Sequence, residues 1–233
     1  MLEKYLVREA RRDKERSFED QQIFSRKFDL HQYFSPASRN TKRFIYYDQI
    51  SRISHVHDAN EMAGDKKSLV VAVDGACHQD GNASGSKSSY GIFFGKDSGF
   101  NTYDTIEVSD ERQQTKDYTR LIAVDRALDL IKNSSVLENW RSTSEREGSF
   151  TIVIMTDSTY VYDTFTTSIW LWRKNGFESS EGEEVVSREL IDKIDKAILD
   201  LAGDKILVRF WSVPREDNTE AEKLANRALQ DGR

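Results

Sequence analysis

From residue 68 onward, hydrophobic and polar positions fall into two alternating periods. Residues 68–74, SLVVAVD, form a β-branched run closed by an acid, which predicts a short buried strand ending at Asp74. Two more runs, SSYGIFFG (88–95) and TYDTIEVS (102–109), follow the turn-rich stretch GACHQDGNASGSK and predict a meander. The period then lengthens. Leu121, Val124, Leu128 and Ile131 share one helical face, and Thr115 is placed to cap that helix. TIVIMTD (151–157) is a buried strand ending in Asp157, and STYVYDTFTTSIWLW (158–172) continues as a helix. An amphipathic helix over 185–202, a strand over 205–213 and a helix over 216–230, preceded by Pro214, complete the series. The order β-β-β-α-β-α-α-β-α predicts an α/β fold: a five-stranded mixed sheet flanked by helices.

Before residue 68 the periods are weaker. Leu2, Tyr5 and Leu6 stand at helical spacing among dense mixed charge, as in a short exposed helix or a frayed arm. The aromatics of FDLHQYF (28–34) and FIYYD (44–48) follow no clear period. They predict an extended segment that either covers part of the domain or binds a protein partner. EMAGDKK (61–67) reads as a linker, so the organisation expected is an N-terminal extension over 1–67 and a domain over 68–233.

Composition narrows the function classes. The single cysteine, Cys77, excludes a disulfide framework within the chain and favours a reducing, intracellular compartment, nucleus or cytoplasm. No run approaches the ~20 apolar residues of a membrane span, and the charged first 20 residues do not resemble a signal peptide. A net charge of −6 argues against tight nonspecific nucleic-acid binding, while leaving room for a local basic groove.

Candidate chemistry begins with the two acids at strand ends. Paired carboxylates repel one another unless a proton or a cation intervenes. Mg²⁺ is the common answer, and a pair of such ions about 4 Å apart supports phosphodiester cleavage. Equally, an acid at a strand end can do no more than cap the next turn.

VDGACHQDG, the QQT that opens the first helix, MTDSTYV, WLWRKNGF and VPREDNTEAEKLA, taken in order and spacing, resemble ribonuclease H type 1 over roughly residues 68–230. The Pro-Arg-Glu turn at 214–216 is similar to the branch common in filamentous fungi. This resemblance implies the ribonuclease H fold and hydrolysis of the RNA strand of RNA–DNA hybrids by two Mg²⁺ (or Mn²⁺) ions held on four carboxylates. It assigns Asp74, Asp157 and Glu222 to the metals, with Glu222 standing where the family has aspartate. It also implies nucleic-acid contacts by Gln114, Thr115 and Lys116, and by Trp172, Lys174 and Asn175.

The fourth acid is missing. Where the family's helix carries its metal-bridging glutamate, this chain has Arg120, and the neighbouring positions Lys116, Asp117, Tyr118 and Thr119 also depart from the family pattern. Helical phase places Asp117 on the inward side, one turn earlier, as a stand-in carboxylate; it can equally serve the helix N-terminus. Arg120 can bridge the remaining acids as an internal substitute for the cation, in which case no metal is needed, or extend to solvent. Two functions follow: a catalytically impaired module that binds nucleic acid or protein, or a working Mg²⁺-dependent hybrid ribonuclease. His55 and His57 form an HxH pair without further ligands in sequence, and Cys77 has no histidine partner.

Overall fold

The computed structural model describes residues 26–30, 41–57, 64–78, 87–107, 115–143, 148–179 and 181–231. The strands are β1 (Ile45–Asp48), β2 (Ile53–Val56), β3 (Ser68–His78), β4 (Lys87–Phe93), β5 (Thr102–Ile106), β6 (Phe150–Thr156) and β7 (Ile206–Ser212). The helices are α1 (Lys116–Asn133), α2 (Ser135–Ser142), α3 (Thr159–Asp163), α4 (Ile169–Asn175), α5 (Arg188–Gly203) and α6 (Thr219–Asp231). A π-helical turn, Thr164–Ser168, joins α3 to α4, so the helix expected after Asp157 is present with one widened turn.

The α/β fold with a mixed sheet and flanking helices is as the pattern predicts. β3, β4 and β5 form the antiparallel meander, and β6 and β7 run parallel to β3 on its other side. Among the described residues the sheet nonetheless holds seven strands rather than five. The additional pair is the β1–β2 hairpin, which joins β3 where Ser54 faces Val70. These strands have four residues each, too few to show a period of two. Their turn is set by Asp48, whose side chain accepts the Ile50 N–H at 2.9 Å, and by Arg52 at φ 57°. Residues 64–67, expected as linker, form a hydrogen-bonded turn into β3, with the Asp65 N–H on the Val56 carbonyl at 2.7 Å. The helical arm expected over residues 1–20 lies outside the described residues. Also unexpected was α2, whose Trp140 is fully buried and donates to the Lys66 carbonyl at 2.9 Å.

Alternation along the central strands divides the core in two. Leu69, Val71, Val73, Ile152 and Ile154 pack with Leu121, Val124, Leu128 and Ile131 of α1 and with Ile191, Ile194 and Ile198 of α5. On the other face, Val70, Ala72, Val153 and Met155 pack with Ala221 of α6 and with Phe28 and Phe44 from the extension. Phe28 sits on Trp211, ring centroids 5.4 Å apart, so these aromatics cover the sheet. Burying one such ring contributes about 1.5–3 kcal/mol. His31, Gln32, Tyr33 and Phe34, the rest of that aromatic stretch, lie outside the described residues.

The extension also runs beside β7. The Phe28 N–H donates to the Phe210 carbonyl at 2.9 Å, and the Phe210 N–H to that of Arg26 at 2.7 Å. Arg26, 3% exposed, pairs with the buried Asp195 of α5 at 2.7 Å, and Arg173 of α4 holds the other carboxylate oxygen at 2.5 Å. Both guanidinium groups lie 5.1 Å from the Trp170 ring centroid.

Candidate active site

Strand register brings the two acids together. β3 and β6 are parallel, with Ala72 opposite Met155, so Asp74 and Asp157, each two residues further on, reach the same end of the sheet. Two glycines let helices close on that end. A Cβ on Gly75 would stand 2.4 Å from the Thr119 carbonyl carbon and 2.5 Å from the Arg120 nitrogen. Only the bare backbone allows α1 to approach β3 there, which sets Arg120 beside Asp74. Gly91, opposite Asp74 on β4, would likewise meet the Ala221 carbonyl oxygen at 2.4 Å and the Ala225 nitrogen at 2.5 Å, so it admits the start of α6.

Arg120 occupies the middle of the cluster. Its Nε donates to Asp74 Oδ1 at 3.1 Å. Its terminal nitrogens lie 3.6 Å from Asp157 Oδ2 and 3.8 Å from Asp117 Oδ1. The Asp74 and Asp157 side chains are 8% and 9% exposed, so water screens this arrangement poorly. The Asp74 carboxyl is nevertheless pushed above the ordinary aspartate range. Burial is the largest cause and the Asp157 charge the next; Arg120 and the Gly75 N–H pull the other way without cancelling them.

Asn218, 1% exposed at the entrance to α6, ties the two strand ends together. Its Nδ2 donates to Asp157 Oδ1 and to the Val73 carbonyl, both at 3.0 Å. Among the described residues its Oδ1 has no hydrogen-bond partner. Glu222 is hydrogen-bonded by Arg215, which stands on the turn between β7 and α6. Arg215's pKa is raised first by the hydrogen bond and charge of Glu222, then by smaller contributions from Asp157 and Asp74. Among the described residues, no three His, Cys, Asp or Glu side chains converge closely enough to hold a metal ion.

Other expected positions are more dispersed. Thr115 caps α1, its Oγ1 accepting the Tyr118 N–H at 3.1 Å, and Lys116 is exposed at the first helical position. Gln114 lies outside the described residues. Asp117 does not point inward as helical phase suggested; its side chain is 50% exposed and turns to Arg120. Trp172 is half-buried against the core and Phe177. Asn175 folds back onto the Glu178 backbone, with Nδ2 2.7 Å from its carbonyl, while Lys174 is exposed. Of the HxH pair, His55 is fully buried, with Nδ1 on the Ser68 carbonyl. Cys77 packs beside Ser88. Asn218 and Arg215 were missed in sequence. Asn218 resembles an ordinary helix cap, and the partnership of Arg215 with Glu222 depends on how the turn between them closes.

The RNase H family model matches residues 66–230, well over half of the chain. The chain belongs to the RNase H family. Ribonuclease H of Clostridium botulinum (strain Hall) is 26% identical over 167 residues, covering 71% of this chain and 97% of the relative. Human ribonuclease H1 is 23% identical over 161 residues, covering 67% of this chain, which thus spans only 48% of the human protein's length. Among solved structures, RNase H1 from the archaeon Halobacterium salinarum aligns with a TM-score of 0.41 at 22% identity, covering 70% of this chain and 98% of that one. The foamy viral protease-reverse transcriptase in complex with dsDNA aligns at 0.48 and 20%, covering 68% and 92%.

The RNase H family generally uses Mg²⁺. The residues of this RNase H domain do not fit such an ion as they are arranged. A guanidinium spans Asp74 and Asp157, one Asp157 oxygen is committed to Asn218, and Glu222 is turned to Arg215.

Proposed function

We propose that this RNase H family domain binds nucleic acid without hydrolysing it. The observation that carries the reading is the Arg120 guanidinium between Asp74 and Asp157. A guanidinium neutralises carboxylates but is always protonated, so it neither accepts a proton from water nor makes bound water acidic. A divalent cation would supply that second property. Asp74 and Asp157 therefore hold a fixed positive charge in place of a reaction centre. Within this reading the chain is a type 1 member of the filamentous-fungal branch, resident in nucleus or cytoplasm. Residues 1–67 act as its extension and 68–233 as its domain. Thr115 and Lys116, with Gln114, offer the nucleic-acid contacts at the start of α1, and Trp172, Lys174 and Asn175 those on α4.

The alternative is a Mg²⁺-dependent hybrid ribonuclease in which Asp117 stands in for the missing acid. Its support is the position of Asp117, 3.8 Å from Arg120 and thus at the edge of the cluster. Cleavage of a labelled RNA–DNA hybrid in Mg²⁺ or Mn²⁺ separates the two. We expect the wild type to bind the hybrid without cutting it, and Arg120→Glu to gain turnover. Wild-type turnover that disappears in Asp74→Asn would overturn the reading.

A further inference from the structure

Arg120 accounts for two of the three inherited acids, and the third has a guanidinium of its own. Glu222 is hydrogen-bonded by Arg215, whose side chain is 70% exposed while that of Glu222 is 25% exposed. Arg215 stands on a short 3₁₀ turn, Arg215–Asp217, that leads directly into Asn218. Asn218 in turn holds Asp157 and accepts the Glu222 N–H through its backbone carbonyl at 3.2 Å. The turn that carries Arg215 is thus fastened to the floor of the same cluster.

We propose that two guanidinium groups, Arg120 inside and Arg215 at the mouth, take the places of two divalent cations, so that the carboxylate site is closed and stably folded without metal. This deepens the reading above, which rests on Arg120 alone. Each acid has a cationic partner: Arg120 serves Asp74 and Asp157, and Arg215 serves Glu222. A metal ion entering the site would have to displace a guanidinium from every ligand. The two displacements differ in size. Arg120 is 21% exposed and anchored where α1 meets β3, so an incoming divalent ion meets a fixed like charge in a poorly screened position. Arg215 is a solvated surface partner, and exchanging it alters affinity by up to about fivefold.

The test is Mn²⁺ binding by calorimetry and electron paramagnetic resonance, with melting curves in EDTA and in Mg²⁺. The proteins are wild type, Arg120→Glu, Arg215→Ala and the double variant, with Arg120→Gln in case the added carboxylate prevents folding. The wild type should melt at one temperature in EDTA and in Mg²⁺ and bind no Mn²⁺ at millimolar concentration. Arg120→Glu or Arg120→Gln should gain binding and Mg²⁺-dependent melting, and adding Arg215→Ala should tighten binding about three- to fivefold. Millimolar or tighter Mn²⁺ binding by the wild type, or no effect of Arg215→Ala beside an Arg120 substitution, overturns the proposal. The two readings fail separately. If Arg120→Glu cleaves hybrid and Arg215→Ala changes nothing, the second closure falls and the function proposed above stands. Hybrid cleavage by the wild type sinks the proposed function whatever the metal affinities are.

Discussion

The Asp195 cluster and the Asp74 cluster pair the same chemical groups in opposite proportions. Around Asp195 one carboxylate meets two guanidinium groups, at 2.7 and 2.5 Å, and both stack on Trp170. Around Arg120 one guanidinium meets three carboxylates at 3.1, 3.6 and 3.8 Å. In the first the acid is fully used, and the pairing knits α4, α5 and the extension together. In the second, one guanidinium stands among several acids, and the Asp74 pKa is raised, first by burial and then by the Asp157 charge. A surplus of buried charge opposes folding.

The largest test of this contrast removes the acid that is fully used. Asp195→Ala leaves Arg26 buried without its carboxylate and should cost about 3–5 kcal/mol in denaturant unfolding. A loss under 1 kcal/mol would show that the stack on Trp170, and not the ion pair, holds the extension. Asn218→Ala should cost about 1–3 kcal/mol, because the Val73 carbonyl and Asp157 lose their donor. An unchanged melting temperature would mean that water replaces the amide. The smallest effect has the opposite sign. Asp74 binds its proton more tightly folded than unfolded, so its ionisation opposes folding and stability falls as pH rises from the ordinary aspartate pKa through the folded one. Asp74→Asn should therefore stabilise the protein at pH 7, read as a higher melting temperature. The gain should shrink as pH falls through the folded pKa of Asp74. A destabilised Asp74→Asn would mean that the Arg120 contact outweighs burial and the Asp157 charge.

Much of this was legible in the sequence where a period or a strand end carried it. The five strands from residue 68 onward, the apolar face of α1, its Thr115 cap and the meeting of Asp74 with Asp157 follow from local pattern and from parallel pairing of buried runs. Three of the features that were not legible show the physical reason. The β1–β2 hairpin is too short to show alternation, and its pairing is fixed by a side-chain turn at Asp48. Helical phase extends the apolar face into the first turn, where Lys116 is exposed and the half-exposed Asp117 side chain turns to Arg120. The partners of Glu222 and Asp195 depend on how turns close and on a contact across 169 residues between Arg26 and Asp195, neither of which leaves a period in the chain.

The short run of backbone pairing between residues 26–28 and β7 has a consequence for handling the protein. β7 pairs with β6 on one side, and Lys27 lies against Phe210 on the other. A fragment begun at residue 68, the natural choice from the motifs, would bare that side of β7 together with the surface of Trp211 that Phe28 covers. Unpaired strand edges recruit other chains. Such a fragment should keep its fold yet self-associate, and its poor solubility would be easy to mistake for instability.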